Sequence, residues 1–282
     1  MEMAQAKVIA FSLLCAAVVS CAPEMTWTKH KVDGHITGVT APNADNAAQA
    51  LGVIDAESYT SPSGRVFQPG SATYAVAEDI IAVQPQMAHL KQVIAHSSRE
   101  MIKNGANCEL TNWIVDHLRE DVAKITGRTV DVAIINSGGI RVDMPAGDVI
   151  MDDIVSMFPF KNYLCYVALT GKDLEAMLHE MVSVRSVMPM SGVKLVLTGK
   201  KIDSILVGGK PIDPEKIYGI GTIDFLLDGG DKMNVAKNAK ELIITKTMVI
   251  DSMLPYVMSY KEQGKSIEYF VDDRLVRNKV EE

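Results

Sequence analysis

Four short constellations carry side chains suited to holding a small polar ligand. The first is Asn136-Ser137-Gly138-Gly139-Ile140-Arg141, following the β-branched apolar run Val130–Ile135. Paired glycines let a backbone turn sharply and approach a ligand closely. Asn136 adds an amide, and Arg141 adds a planar cation that can grip a carboxylate or phosphate at two points. The second is Phe158-Pro159-Phe160-Lys161-Asn162, a local concentration in a chain that is only 6% aromatic. Core packing is the default role of such rings. The third is Phe225-Leu226-Leu227-Asp228-Gly229-Gly230-Asp231, again an aromatic, a glycine turn and an acid. Two separated rings near glycine turns can sandwich a flat base, and Asp231 can accept hydrogen bonds from ribose hydroxyls. The fourth is Leu110-Thr111-Asn112, which reads first as a helix start.

The elements that must position these groups show in the hydropathy pattern. Leu90, Val93, Ile94 and Met101 recur at helical spacing, which predicts a helix over Pro85–Asn104 with Pro85 in its first turn. Thr111 is expected to cap a second helix carrying Ile114, Leu118 and Ile125 on one face, ended by Gly127. Val130–Ile135 predicts a buried strand. Beyond it the pattern predicts a short helix at Asp152–Met157, a strand at Tyr163–Leu169, and a helix at Gly171–Val182 with Leu174, Met177, Leu178 and Met181 on one stripe. A half-buried strand follows at Val193–Leu197. Ile202–Val207 is expected to pair with it or with Tyr218–Ile223, and Met248–Gln263 reads as a last helix kinked at Pro255. Strands and helices mixed with short links give an α/β (mixed α+β) domain over residues 76–280.

Composition narrows the function classes. Lys and Arg total 28 against 35 Asp and Glu, for a net charge of −7. Bulk charge therefore excludes a coat for nucleic acid. The 48% apolar and 22% charged fractions are ordinary for a globular chain of 282 residues, which has room for one large domain or two small ones. The N-terminus reads differently. Val8–Val19 is an apolar run too short to span a bilayer, with the length of a signal-peptide core. Val18-Val19-Ser20-Cys21 resembles a bacterial lipobox, which implies cleavage before Cys21 and a lipid on its sulfur. An ordinary signal peptide or a buried helix is the alternative. The expected organisation is a lipoprotein signal peptide at 1–20, a tether and irregular arm at 21–75 with one strand at His35–Val39, and the domain at 76–280. Localisation is then the bacterial cell envelope, anchored to the membrane by lipid. Cys108 and Cys165 would remain in the mature body, as a disulfide or as two buried thiols.

In their order and spacing, the segments LTNWIVD, INSGGIR, FPFKN, MSGVKLVL and PIDPEKIYGIGTIDFLLDGGD resemble the C-terminal domain of the 5′-nucleotidases, over nearly all of 76–280. That resemblance implies a domain of mixed sheets covered by helices that binds the nucleoside part of a nucleotide. It implies that Phe160 and Phe225 stack on the base and Asn162 reaches its edge. Asp231 would hold the ribose, and Asn136 and Arg141, on the Gly138-Gly139 turn, would face ribose or phosphate. Gly192 would keep the base pocket open. Two departures stand out. The family commonly writes Gly-Gly-Asp-Gly where Lys232 here follows Asp231, which predicts a reshaped turn. A family arginine before the helix start is replaced by Asn104-Gly105-Ala106-Asn107-Cys108, so one arm of an anion clamp is missing unless Lys103 runs back to the pocket.

Family members cut phosphate esters with a two-metal centre that needs Asp, His and Asn ligands. No Asn-His-Asp/Glu or His-x-His spacing occurs, the one Asp-x-His spacing, Asp33-Gly34-His35, falls in the irregular arm, and His30, His35, His89, His96, His117 and His179 read as surface or structural residues. The expectation is a chain with no metal or cofactor of its own and no catalytic residues. It would be the nucleotide-binding part of a split 5′-nucleotidase, served by a separate metallophosphatase that carries the divalent ions. The alternative is a non-enzymatic envelope lipoprotein that captures nucleosides or nucleotides.

Overall fold

The computed structural model describes residues 47–184 and 187–279. The signal segment with Cys21, the expected strand at His35–Val39, and His30 and His35 lie outside them. The described chain opens with helix α1 (Ala47–Leu51) and a three-stranded meander of β1 (Val53–Ile54), β2 (Tyr59–Thr60) and β3 (Val66–Phe67). Tyr59 and Phe67 stack within it at 6.0 Å. Where an irregular arm was expected, residues 47–67 thus form a small lobe, closed by helix α2 (Ala72–Met87) with Ser71 as its N-cap. Tyr59, Tyr74 and Ala77 form its core.

The expected helix over Pro85–Asn104 does not form. Pro85 lies in the last turn of α2 rather than beginning a helix, a 3₁₀ turn follows at Ala88–Lys91, and Val93–Ser97 is strand β4. Val93, Ile94 and Ala95 have the short apolar run a strand needs, and pairing with β6 (below) outweighs their accidental helical spacing. Helix α3 (Glu109–Thr126) starts two residues before the predicted cap: Cys108 is the N-cap and Thr111 Oγ1 accepts from the Cys108 N–H at 3.2 Å. Leu110, Ile114, Leu118 and Val122 are its buried stripe, whereas Ile125 faces solvent. Gly127 closes it at φ 64°.

Strand β5 (Val132–Ile134) enters the main sheet, and β6 (Gly147–Ile150) pairs with β4 before helix α4 (Met151–Met157). Strand β7 (Tyr163–Thr170), helix α5 (Gly171–Val184), β8 (Met190–Ser191), β9 (Val193–Thr198), β10 (Lys201–Val207), β11 (Lys210–Pro211) and β12 (Ile217–Ile223) follow. Strand β13 (Glu241–Met248), helix α6 (Val249–Glu262) and β14 (Leu275–Asn278) complete the chain. Helix α6 runs through Pro255. The main sheet has the order β13-β7-β12-β5-β8, with β5 parallel to β12 and the rest antiparallel. A second sheet, β11-β10-β9-β14, takes Ile202–Val207 against β9, settling its partner. This mixed α+β arrangement agrees with the fold expected from the sequence.

Strands β7 and β12 are buried along nearly their whole length, because helices α3 and α5 both pack against them. Arg274, itself buried, pins the segment before β14 by forking onto Asp116 and Asp272. Cys108 and Cys165 are free thiols in the core. Burial, with the Asp224 charge adding to it, pushes the Cys165 thiol up to about 12, which leaves it protonated and unreactive.

Candidate functional site

The C-terminal ends of β5 and β12 and the start of β7 lie at one end of the main sheet. The loops leaving them carry three of the four constellations. Phe158, Ile135, Ile223, Leu118 and Val249 floor a cleft there, and Asn136, Gly139, Phe160 and Asn162 line its edge. Its free space for water is about 20 Å³, enough for roughly one molecule. A flat ligand would therefore lie across the rim rather than sink into the floor.

The two phenylalanines of the Phe-Pro-Phe segment divide the roles between them. Phe158 is core, whereas Phe160 is 46% exposed. Phe225 is 44% exposed at the first 3₁₀ turn after β12 (Asp224–Leu226). Arg141 lies with its guanidinium carbon 5.9 Å from the centre of the Phe160 ring, within cation–π range. Asn162 is held through its carbonyl, which accepts from the Val249 N–H at 2.9 Å.

Asn136 is 8% exposed, and its Nδ2 donates to Asp231 Oδ2 at 3.0 Å. Its Oδ1 is buried without a hydrogen-bond partner. Buried amide oxygens are nearly always paired, so this one marks a position where a donor is needed. Gly139 comes close to the same oxygen: a Cβ there would sit 3.0 Å from Oδ1, and one at Gly138 would sit 3.5 Å from Nδ2. The paired glycines thus leave room for the Asn136 amide as well as for a ligand.

The structure bears on both departures from the family pattern. Lys232 adopts φ 63°, beside Asp231 at φ 52° and Gly229 at φ 91°. It takes the left-handed conformation that glycine adopts freely. Lys103 does run back: its ammonium donates to the carbonyls of Ser137 (3.4 Å) and Ile140 (2.5 Å). Arg141 Nη1 donates to the Gly138 carbonyl at 3.2 Å. Two cations therefore brace one turn through its carbonyls, with the Asp231 carboxylate bonded to Asn136 at the same end.

Gly192 is not part of this cluster. It sits between β8 and β9 at φ 76°, where a Cβ would come within 2.0 Å of the Asp131 carbonyl oxygen. Asp131 precedes β5 and Asn136 follows it, so the two ends lie about 17 Å apart along an extended strand. Close passage of two backbones, not ligand access, is what requires glycine at 192. Leu110-Thr111-Asn112 likewise serves the start of α3: all three side chains are buried.

Among the described residues, no group of three or more His, Cys, Asp or Glu side chains is placed to hold a metal ion. His89, His96 and His179 are exposed, with His89 and His96 on different elements rather than one helix. His117 stacks face to face on Tyr256 at 3.8 Å, and its Nε2 lies 3.1 Å from Ser252 Oγ. Burial lowers its pKa, against the nearby Asp121 charge. One residue gained importance only in three dimensions: Asp224, whose carboxylate touches both ring-bearing segments.

The profile of the 5′-nucleotidase, C-terminal domain family matches residues 86–238, more than half of the chain. The chain belongs to this family. Protein UshA of Escherichia coli (strain K12) is 32% identical over 171 residues, covering 52% of this chain and 30% of UshA. The apyrase of Tabanus yao is 29% identical over 161 residues, covering 48% of this chain and 29% of that enzyme. Among solved structures, the 5′-nucleotidase precursor of Thermus thermophilus superposes with a TM-score of 0.63 at 24% identity, over 74% of this chain and 44% of that one. The chain therefore spans under a third of these two relatives and under half of the solved enzyme. The 5′-nucleotidase C-terminal domain of this chain places its loop cluster at the sheet end described above.

Proposed function

We propose that residues 76–280 hold the nucleoside part of a nucleotide and present its phosphate ester to a separate two-metal metallophosphatase, together forming a split 5′-nucleotidase that serves nucleotide catabolism. The observation that carries this reading is the pair of exposed phenylalanines, Phe160 and Phe225, at one sheet end beside Asn136 and Asp231. Exposed rings have a use on a base, where each stacked face contributes ~1–3 kcal/mol. In this reading Asn162 meets the base edge, Asp231 accepts from ribose hydroxyls, and Arg141 with Lys103 favours an anionic ligand over a neutral one. Asn136 Oδ1 lacks the donor that a ribose hydroxyl would supply. In this reading the metal ions belong to the partner. Holding the ester in place while metals activate water is a division of labour that proximity alone makes effective.

The test uses the purified chain with AMP and Mn²⁺. It is expected to bind AMP by calorimetry yet release no phosphate, and to support hydrolysis when the metallophosphatase is added. Robust phosphate release by the chain alone overturns the split reading. Binding with no rescue by any metallophosphatase instead supports a nucleotide-capturing lipoprotein. The same proposal puts the mature chain on the bacterial envelope through lipid on Cys21; mass spectrometry of membrane-extracted protein that finds an unmodified Cys21 would refute it.

A further inference from the structure

We infer that Asp224 is a positioning residue that sets the separation of the two base-stacking rings; the inference rests on the functional reading above. The ladder between β7 and β12 ends at the Leu164–Ile223 pair. The next residue along β7, Tyr163, lies beyond the end of β12 on that side and pairs with Met248 of β13 on the other. Its N–H is not taken up by β12. It donates instead to Asp224 Oδ1 at 3.1 Å, across 61 residues of sequence. The same oxygen accepts from the Phe225 N–H at 2.8 Å. A carboxylate bonded to the next residue's N–H is by itself an ordinary turn feature. The long-range bond to Tyr163 is different in kind, because it ties the Phe225 turn to the loop that carries Phe160 three residues earlier.

That loop is fixed from its other side as well. The Asn162 carbonyl accepts from the Val249 N–H at the start of α6. The Phe160 loop therefore has one anchor on α6 and one on Asp224, and Phe225 has its backbone on Asp224 too. One oxygen atom joins both ring-bearing segments. Both rings are nearly half exposed, so packing on the core holds them only in part. Their spacing depends on backbone anchors, and Asp224 is the anchor they share. Bonds from N–H groups to an ionised carboxylate are stronger than neutral ones, which suits a group that must hold a gap open before the ligand arrives.

The experiment is a double-mutant cycle read by calorimetric titration of AMP into the full chain. Asp224→Ala is expected to weaken AMP about tenfold when Phe225 is present and less than about twofold when it acts on the Phe225→Ala background. Asp224→Asn, which keeps an acceptor oxygen in place, is expected to stay within about threefold of the wild type. Asp224→Glu keeps the charge but moves the oxygens by one methylene. It should reproduce the alanine pattern, and it decides the matter if the alanine variant fails to fold. Equal losses in both backgrounds would show a general structural role and overturn the inference, as would unchanged affinity in the Asp224→Ala and Asp224→Glu variants. Wild-type protein that does not bind AMP overturns the functional reading itself, and the inference with it.

Discussion

Replacing Lys232 by glycine should stabilise the protein, although it removes a side chain and adds none. Lys232 holds φ 63° in the turn Gly230–Lys232, directly after Asp231 at φ 52°. The left-handed region costs a residue with a Cβ about 1–2 kcal/mol, and glycine almost nothing. Against this, glycine makes the unfolded chain more flexible, at roughly 0.4–1 kcal/mol. The lysine side chain is exposed, so little packing is lost. The mid-values differ by about 0.8 kcal/mol in favour of Lys232→Gly (the extremes by about 0 to 1.6), or about 2–3 °C in Tm for a domain of this size. Differential scanning calorimetry measures it directly, with Gly229→Ala at φ 91° as the opposite control, expected to lower Tm. A lower Tm for Lys232→Gly would refute the argument that this turn keeps a glycine-like backbone beneath a lysine.

Two further outcomes follow from the geometry. Gly192→Ala should cost ~2–5 kcal/mol, from left-handed strain and a clash with the Asp131 carbonyl, in urea titrations, while the folded fraction keeps its affinity for AMP. A loss of affinity without a loss of stability would return Gly192 to the pocket. The lowered pKa of His117 means that the unfolded chain takes up a proton more readily than the folded one below about 6.5. Stability should be constant with pH above that value and fall as pH drops below it. His117→Gln should flatten the fall between about pH 6.5 and 5, and an unchanged slope would remove His117 as its cause.

Much of the fold was legible because the domain's inner strands and amphipathic helices write their burial into the sequence. Val130–Ile135, Tyr163–Leu169 and the Leu174–Met181 stripe are all close to where their patterns put them. The stretch Pro85–Asn104 was misread because Val93 and Ile94 satisfy helical and strand patterns equally, and only pairing with Gly147–Ile150 decides between them. Residues 47–67 hid their small meander because two-residue strands are too short to show a period. At the site, residue types and spacing alone do not separate Phe158 from Phe160, and the structure shows Phe158 buried and Phe160 exposed. Facing the core or the solvent depends on how Pro159 directs the chain. Asp224 acts through a contact with a residue 61 positions away, so no local pattern could assign it, whereas Lys103 could be named from sequence only as a conditional candidate. Gly192 shows the converse: a glycine demanded by backbone crowding looks the same in sequence as one demanded by a ligand.

The central claim is that exposed Phe160 and Phe225 form the seat for a nucleotide base. Calorimetric titration of AMP into the wild type and the Phe160→Ala and Phe225→Ala variants tests it directly. Each substitution is expected to weaken binding by ~1–3 kcal/mol, about 5- to 150-fold, with Tm nearly unchanged because neither ring is core. Affinity equal to wild type in both variants would contradict the account.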